Sequence, residues 1–154
     1  MRTLRDALES GPVGLDTALF IYFIEEHPRY FPAVEALFQA LEEGTLQGVT
    51  SGITLLETLI LPLRNGDQHL AREYETILTQ SRNLKLIELT IPLLRSAAHL
   101  RANTGIKTPD ALQIAAAASM KCPVFVTNDR RLPDIQGLQV IQLESFMEEP
   151  SGEC

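Results

Sequence analysis

The sequence predicts an α/β protein in which helices cover both faces of a parallel sheet. Two observations carry that expectation. Short apolar runs bounded by turn residues recur at 13–15, 46–50, 84–89, 123–127 and 138–143. Between most of them lie longer stretches whose apolar residues recur at three- and four-residue steps, the period of a helix. Strands that alternate with helices pair in parallel through right-handed crossovers, which puts helices on both sides. A third observation sets the size. At 154 residues, 45% hydrophobic and 21% charged, the chain is one ordinary domain that needs no disulfide or metal staple to fold.

Residues 1–11 are polar up to Ser10-Gly11 and read as a short extension of one or two helical turns. Val13-Gly14-Leu15 is a brief buried strand that stops at Asp16-Thr17, either of which can cap a helix. Residues 18–26 then form a very apolar helix, for which strand is an alternative on periodicity alone. Residues 32–43 are a clearer helix, with Val34, Leu37, Phe38 and Leu41 on one face and Gly44 as its stop. After the strand at 46–50, Ser51 is a candidate N-cap for a helix over 53–61, which Pro62 and Asn65-Gly66 break. Residues 68–80 are an amphipathic helix, and a strand at 84–89 is followed by a helix over 91–103 stopped at Gly105. Thr108-Pro109-Asp110 opens a helix to about Met120, with Thr108 as N-cap, proline in the first turn and an early acid. The buried strand 123–127 exits at Asn128-Asp129, and 138–143 is the last strand.

Composition excludes several classes. The longest uninterrupted apolar run, 18–24, is too short to span a membrane, and the first residues lack the apolar stretch of a signal peptide. The two cysteines, Cys122 and Cys154, do not make a disulfide framework, so a reducing, cytoplasmic setting is expected. His27, His69 and His99 are scattered without zinc spacing. The net charge of −7 runs against the basic surface usual for nucleic-acid proteins. Metal-binding carboxylates reverse part of that objection, because two divalent ions would bring −7 to −3.

Four acids break their local patterns. Glu57 has Ile53, Ile60 and Leu61 on its own helix face, so a carboxylate sits inside an apolar stripe. A buried, unpartnered carboxylate costs several kcal/mol, which points to a paired charge or a ligand. Asp110 shares a face with Ile114 and Ala117, although an acid in a first turn is also favoured by the helix dipole. Asp16 and Asp129 each follow directly on a short apolar strand. In open parallel sheets, ligands bind beyond the carboxyl ends of strands near the switch in strand order, so the four acids can converge there. Carboxylates gathered so closely need compensation, and all-oxygen ligation suits Mg2+ or Mn2+. Two such ions roughly 3.5–4 Å apart support phosphodiester cleavage by activating water and stabilising the leaving oxygen.

These residues resemble the motifs of PIN-domain proteins. Leu15-Asp16-Thr17 resembles the family's opening, Thr50-Ser51 with Leu55-Leu56-Glu57 its second motif, Thr108 to Ala117 its third, and Val126-Thr127-Asn128-Asp129 its fourth. The resemblance spans residues 12–146, leaves 1–11 as an N-terminal extension and 147–154 as an acidic tail, and is nearest to toxin-type (VapC-like) members. It implies a three-layer α/β/α sandwich with a parallel sheet of about five strands. It implies a metal-dependent endoribonuclease that cuts single-stranded RNA, with Asp16, Glu57, Asp110 and Asp129 as the metal-holding quartet. It also implies that Thr127 positions the first aspartate, that Asn128 is a polar neighbour of the fourth acid, that a small antitoxin protein is a partner and that the chain forms a homodimer. The apolar residues of 18–24 and 32–43 are the surface expected for that dimer. Two features depart from the pattern: the extension before the first strand, and Arg131-Leu132 where an acid and an aromatic are usual.

Three rivals remain at this point. A catalytically inactive PIN-like scaffold binding RNA or protein would be expected to lack one of the four acids. A phospho-receiver domain would carry an acidic pair after the first strand and a lysine after the last core strand. An aspartate phosphatase would carry a second aspartate at position 18, which is Ala18.

Overall fold

The computed structural model describes Leu8, 11–135 and 137–147. The reading of 1–11 as helical turns and of 147–154 as an acidic tail therefore lies, apart from Leu8, Gly11 and Met147, outside the described residues. Five strands form one sheet: β1 (Val13–Leu15), β2 (Gly48–Ser51), β3 (Leu84–Ile87), β4 (Val124–Thr127) and β5 (Gln139–Gln142). Their order is β3-β2-β1-β4-β5 and every neighbouring pair is parallel. The chain leaves β1 in one direction to build β2 and β3, then returns to lay β4 on the other side of β1. The switch in strand order falls between β1 and β4.

Helices α1 (Thr17–Ile24), α2 (Phe31–Glu43) and α4 (Gln68–Gln80) cover one face, packing Leu19, Phe20, Leu37, Phe38 and Leu78 onto Val13, Leu15, Val124, Val126 and Ile141. Helices α5 (Ile91–Thr104) and α6 (Thr108–Ser119) cover the other, where Leu93, Ala97 and the alanine run of α6 meet Val49 and Phe125. Helix α3 (Gly52–Arg64) joins β2 to α4. The expected sandwich is thus present, and the run after β1 is helix, not strand. Asp16 decides that locally, because its carboxylate accepts the Thr17 N–H at 2.8 Å and caps α1.

Gly14 lets α6 approach the sheet. A Cβ there would stand 2.6 Å from the Phe125 ring and 2.8 Å from the Ala117 methyl. Gly44, at φ 82°, supplies the left-handed C-cap that ends α2.

Three local expectations need correction. Pro62 lies inside α3, which continues to Arg64 and closes at Asn65. Proline has no N–H to give Thr58 O, but the helix is otherwise bonded on either side of it. Thr108 is the first residue of α6, not its cap. Lys107 holds the N-cap position without a side-chain bond, and the Thr108 hydroxyl accepts instead from Arg101 Nη1 at 3.1 Å. The third correction concerns α3 as a whole. Its buried residues are Thr54, Thr58 and Pro62, while Leu56, Ile60, Leu61 and Leu63 are exposed. Of the apolar stripe around Glu57, Ile53 packs against the core partly buried, but Ile60 and Leu61 face away from it. The reverse holds for 18–24 and 32–43, whose large apolar residues are mostly spent inside the domain.

Candidate active site at the carboxyl edge of the sheet

β1 and β4 both end on this edge. The Asp16 N–H donates to Val126 O at 3.1 Å, which sets the end of β1 against β4. Asp16 then projects from the strand end with both carboxylate oxygens engaged. Oδ1 takes the Thr17 N–H, and Oδ2 accepts the Thr127 hydroxyl at 2.5 Å. Thr127 is fully buried, and its Oγ1 also accepts the Asp129 N–H at 3.0 Å. One hydroxyl thus fixes Asp16 and the backbone of Asp129 together.

Glu57 reaches the same place from the middle of α3. Its Oε1 accepts the Thr17 hydroxyl at 2.6 Å. Asp110 arrives from the first turn of α6, half-buried, and among the described residues nothing donates a hydrogen bond to its carboxylate. A cleft of 270 Å3 lies between Lys107, Asp110, Asp129 and Arg131.

The carboxylates at this edge act on one another electrostatically. Burial, and then the charges of Glu57 and Asp129, push the Asp16 carboxyl up against the opposing bonds from Thr127 and Thr17. Burial, then Asp16 and Asp129, push Asp110 up, with Arg131 and Lys107 pulling the other way. Asp129 goes down, first because Arg131 bonds it. Arg131 Nε lies 3.1 Å from Asp129 Oδ1, and the Arg131 N–H donates to the same oxygen at 3.0 Å. Arg131 serves as a counter-charge to Asp129, and Leu132 next to it is buried.

Sequence reasoning missed Gln113. It is 2% exposed and sits between β1, β2 and α3. The ladder of β1 on β2 ends at the pair Gly14 and Val49. Beyond it the Gln113 side-chain oxygen accepts the Ser51 N–H at 3.1 Å. Its amide donates to Thr54 Oγ1 at 2.7 Å and to Thr17 Oγ1 at 3.0 Å. Thr50 completes the network, donating to Leu15 O at 2.9 Å and pairing with Thr54 at 2.7 Å. Gln113 therefore orients Thr17, which orients Glu57. A clue was present: one amide inside Ala-Leu-Gln-Ile-Ala-Ala-Ala can be buried only if all its polar atoms are bonded. Asn128, expected as a neighbour of the fourth acid, donates from Nδ2 to the Tyr22 hydroxyl at 3.2 Å.

All four predicted acids and Thr127 thus belong to one edge, with Asp16 as their hub. As they stand, no three acids among the described residues are grouped as ligands of one ion. The donor set nevertheless fits a hard divalent cation. It is all oxygen, Asp110 accepts no hydrogen bond among the described residues, and two of the carboxyls are held above their ordinary value by burial and then by like charges.

The PIN domain family model matches residues 13–138, and the chain belongs to that family. No curated protein matches it by sequence. Three solved structures share the fold. VapBC2 from Rickettsia felis bound to a DNA fragment from its promoter is 18% identical with a TM-score of 0.65, covering 85% of this chain and 98% of the other. A toxin-antitoxin complex from Klebsiella pneumoniae is 21% identical with a TM-score of 0.63, covering 87% and 98%. VapC20 of Mycobacterium tuberculosis, a toxin that cleaves the sarcin-ricin loop, is 16% identical with a TM-score of 0.61, covering 75% and 87%. Among the described residues, no helix is long and apolar enough to cross a membrane.

Proposed function

We propose that the protein is a metal-dependent endoribonuclease that hydrolyses single-stranded RNA and serves as the toxin of a toxin–antitoxin pair. The observation that carries the reading is the coupled set Asp16, Glu57, Asp110 and Asp129 at the strand switch of a PIN fold. PIN domains are in general nucleases, and the structural neighbours come from toxin–antitoxin systems. An intact quartet argues against the inactive-scaffold alternative.

Asp16, Asp110 and Asp129 would hold Mg2+ or Mn2+, with Glu57 at the periphery of the set. The bound metal supplies an acidic water and neutralises charge on the scissile phosphate. The chain's own residues do the rest. Thr127 and the Thr17 N–H at the start of α1 bond the two Asp16 oxygens and oppose the effect of its burial. Thr17, itself held by Gln113, fixes the Glu57 carboxylate. Arg131 bonds Asp129 as its counter-charge. In this reading the domain spans 12–146, and it acts in the cytoplasm beside a small antitoxin protein.

A homodimer is the proposed assembly, but not through α1 and α2. Leu56, Ile60 and Leu63 recur at i, i+4 and i+7 along α3, and they are 55%, 46% and 60% exposed. Ile91 and Leu94 at the start of α5 are exposed as well. Burying these faces against a second copy explains an apolar surface that the single domain leaves uncovered.

The test is cleavage of an end-labelled single-stranded RNA. Internal cuts with Mg2+ or Mn2+ and none in EDTA support the proposal. Cleavage undiminished in EDTA, or none with either metal, overturns it.

A further inference from the structure

An aromatic and cationic patch lies beside the acids; Tyr22 and Tyr30 rest one side on the core, and the quartet does not use the patch. After α1 ends, the chain turns back and packs His27 edge-on (64°) and Tyr30 tilted (30°) against Tyr22. The ring centroids are 5.0 Å apart for Tyr22 and His27, 4.7 Å for Tyr22 and Tyr30, and 4.8 Å for His27 and Tyr30. His27 Nδ1 accepts the backbone N–H groups of Arg29 and Tyr30 at 3.1 and 3.3 Å, which fixes its ring. All three rings are half-buried, so each keeps surface open to solvent. The core beneath is already closed by Phe20, Phe23 and Phe38, which pack on one another.

Two guanidiniums flank the rings. Arg29 stands 5.6 Å from the centre of the Tyr30 ring. Arg29 Nη2 bonds Glu144 Oε1 at 2.7 Å, Arg130 bonds the other oxygen of Glu144, and the Tyr30 hydroxyl donates to Oε1 at 3.2 Å. Glu144 thereby holds two arginines from different elements side by side. They remain 65% and 77% exposed, and most of the five donors of each are uncommitted.

The patch is joined to the site by Asn128. Its amide bonds Tyr22, and it stands in the chain between Thr127, which bonds Asp16, and Asp129. Arg130 follows Asp129 directly. In a chain of net charge −7, this gives the acidic edge a neighbour with exposed cations and half-buried aromatic rings.

We propose that Tyr22, His27 and Tyr30, with Arg29 and Arg130, form a nucleobase-stacking subsite that holds a nucleotide next to the phosphate being cut. The inference rests on the ribonuclease reading and deepens it. Aromatic faces take any base by stacking, and arginines placed beside them take the adjoining phosphate. An acidic peptide would use the arginines but has no use for the packed rings.

The experiment compares binding and cleavage of a fluorescein-labelled oligouridylate of about 12 nucleotides with the same strand carrying abasic sites. Wild type is expected to bind the abasic strand ~10-fold more weakly. Tyr30→Leu, checked for folding by its melting curve, is expected to raise KM for the full strand ~10-fold, leave kcat nearly unchanged and bind both strands alike. Arg130→Ala, on the surface, is expected to weaken binding to both strands ~3-fold and to lower the salt slope by about 1. Wild-type cleavage with no preference for the full strand, or with KM unmoved by Tyr30→Leu, overturns the stacking subsite and leaves the ribonuclease reading standing. Failure of wild type to bind or cut the full strand overturns both. Variants that bind RNA normally but lose an acidic partner protein assign the patch to that partner and overturn the subsite.

Discussion

Replacing Gln113 by leucine isolates the polar network beneath the site. Leucine is close to glutamine in volume, so the change makes little cavity and removes hydrogen bonding instead. The two threonine hydroxyls to which the Gln113 amide donates, and that of Thr50, which donates to its oxygen at 3.3 Å, can re-pair, since Thr17 and Thr54 lie 3.1 Å apart and Thr54 and Thr50 2.7 Å apart. The Ser51 N–H has no such recourse. It lies past the end of the β1 ladder, and its acceptor is the Gln113 oxygen. A buried donor left unbonded costs about 1–3 kcal/mol, and the two weakened hydroxyl bonds add about 1 kcal/mol together. The expected loss is therefore about 2–4 kcal/mol. In a domain of this size it lowers Tm by roughly 5–15 °C. Circular dichroism melting reads the change directly. RNA cleavage below the melting range should also fall about 10-fold, because Thr17 loses the bond that aims it at Glu57. A Tm within about 2 °C of wild type would refute the reasoning, since it would mean that the Ser51 donor finds another partner.

Other outcomes follow from the same geometry. Asp110→Asn removes a carboxyl raised by burial and by Asp16 and Asp129, so in EDTA it should melt at or above wild type, whereas a plain first-turn acid would lose ~0.3–1 kcal/mol. Raised folded-state values for Asp16 and Asp110 mean that the folded chain holds those protons more tightly than the unfolded one. Their penalty is absent below the ordinary carboxylate value of 3.8 and grows as pH rises through the raised values, so metal-free Tm should climb as pH falls from neutrality toward that range. Mg2+ should raise Tm at neutral pH and lose that effect in Asp110→Asn. Thr127→Val keeps the shape but strips Asp16 of its shortest bond, and the loss of a charge-assisted contact should cost about 1.5–3 kcal/mol by denaturant titration. For assembly, light scattering should give twice the 17.1 kDa chain mass, and Ile60→Asp should return it to one chain.

The fold was legible because its strands and helices announce themselves separately. Val13-Gly14-Leu15 and Val124–Thr127 are short, apolar and bounded by turns, and Asp16 is a strong cap. The acids were legible for the opposite reason, as carboxylates where the pattern asks for something else. Glu57 was singled out on a partly mistaken ground. Its apolar neighbours Ile60 and Leu61 face solvent, and the carboxylate is held by Thr17, a residue 40 positions earlier. Periodicity marks which face of a helix is apolar, but not whether that face meets the core or a partner. On α3 it is the threonine face that packs inward, because Gln113 and Thr17 supply bonds there. Nor can a sequence show that Arg131 folds back two residues onto Asp129, or that Asn128 reaches the hydroxyl of Tyr22 on another element.

The central claim is that the acids at the strand switch cut RNA together. Single-turnover cleavage of one labelled single-stranded RNA by wild type and Asp16→Asn, in Mg2+ or Mn2+, tests it most directly. Asp16 is the hub of the cluster, so its neutralisation should slow the cut at least ~100-fold while the melting curve stays cooperative. A folded Asp16→Asn variant that cleaves at the wild-type rate would contradict the account.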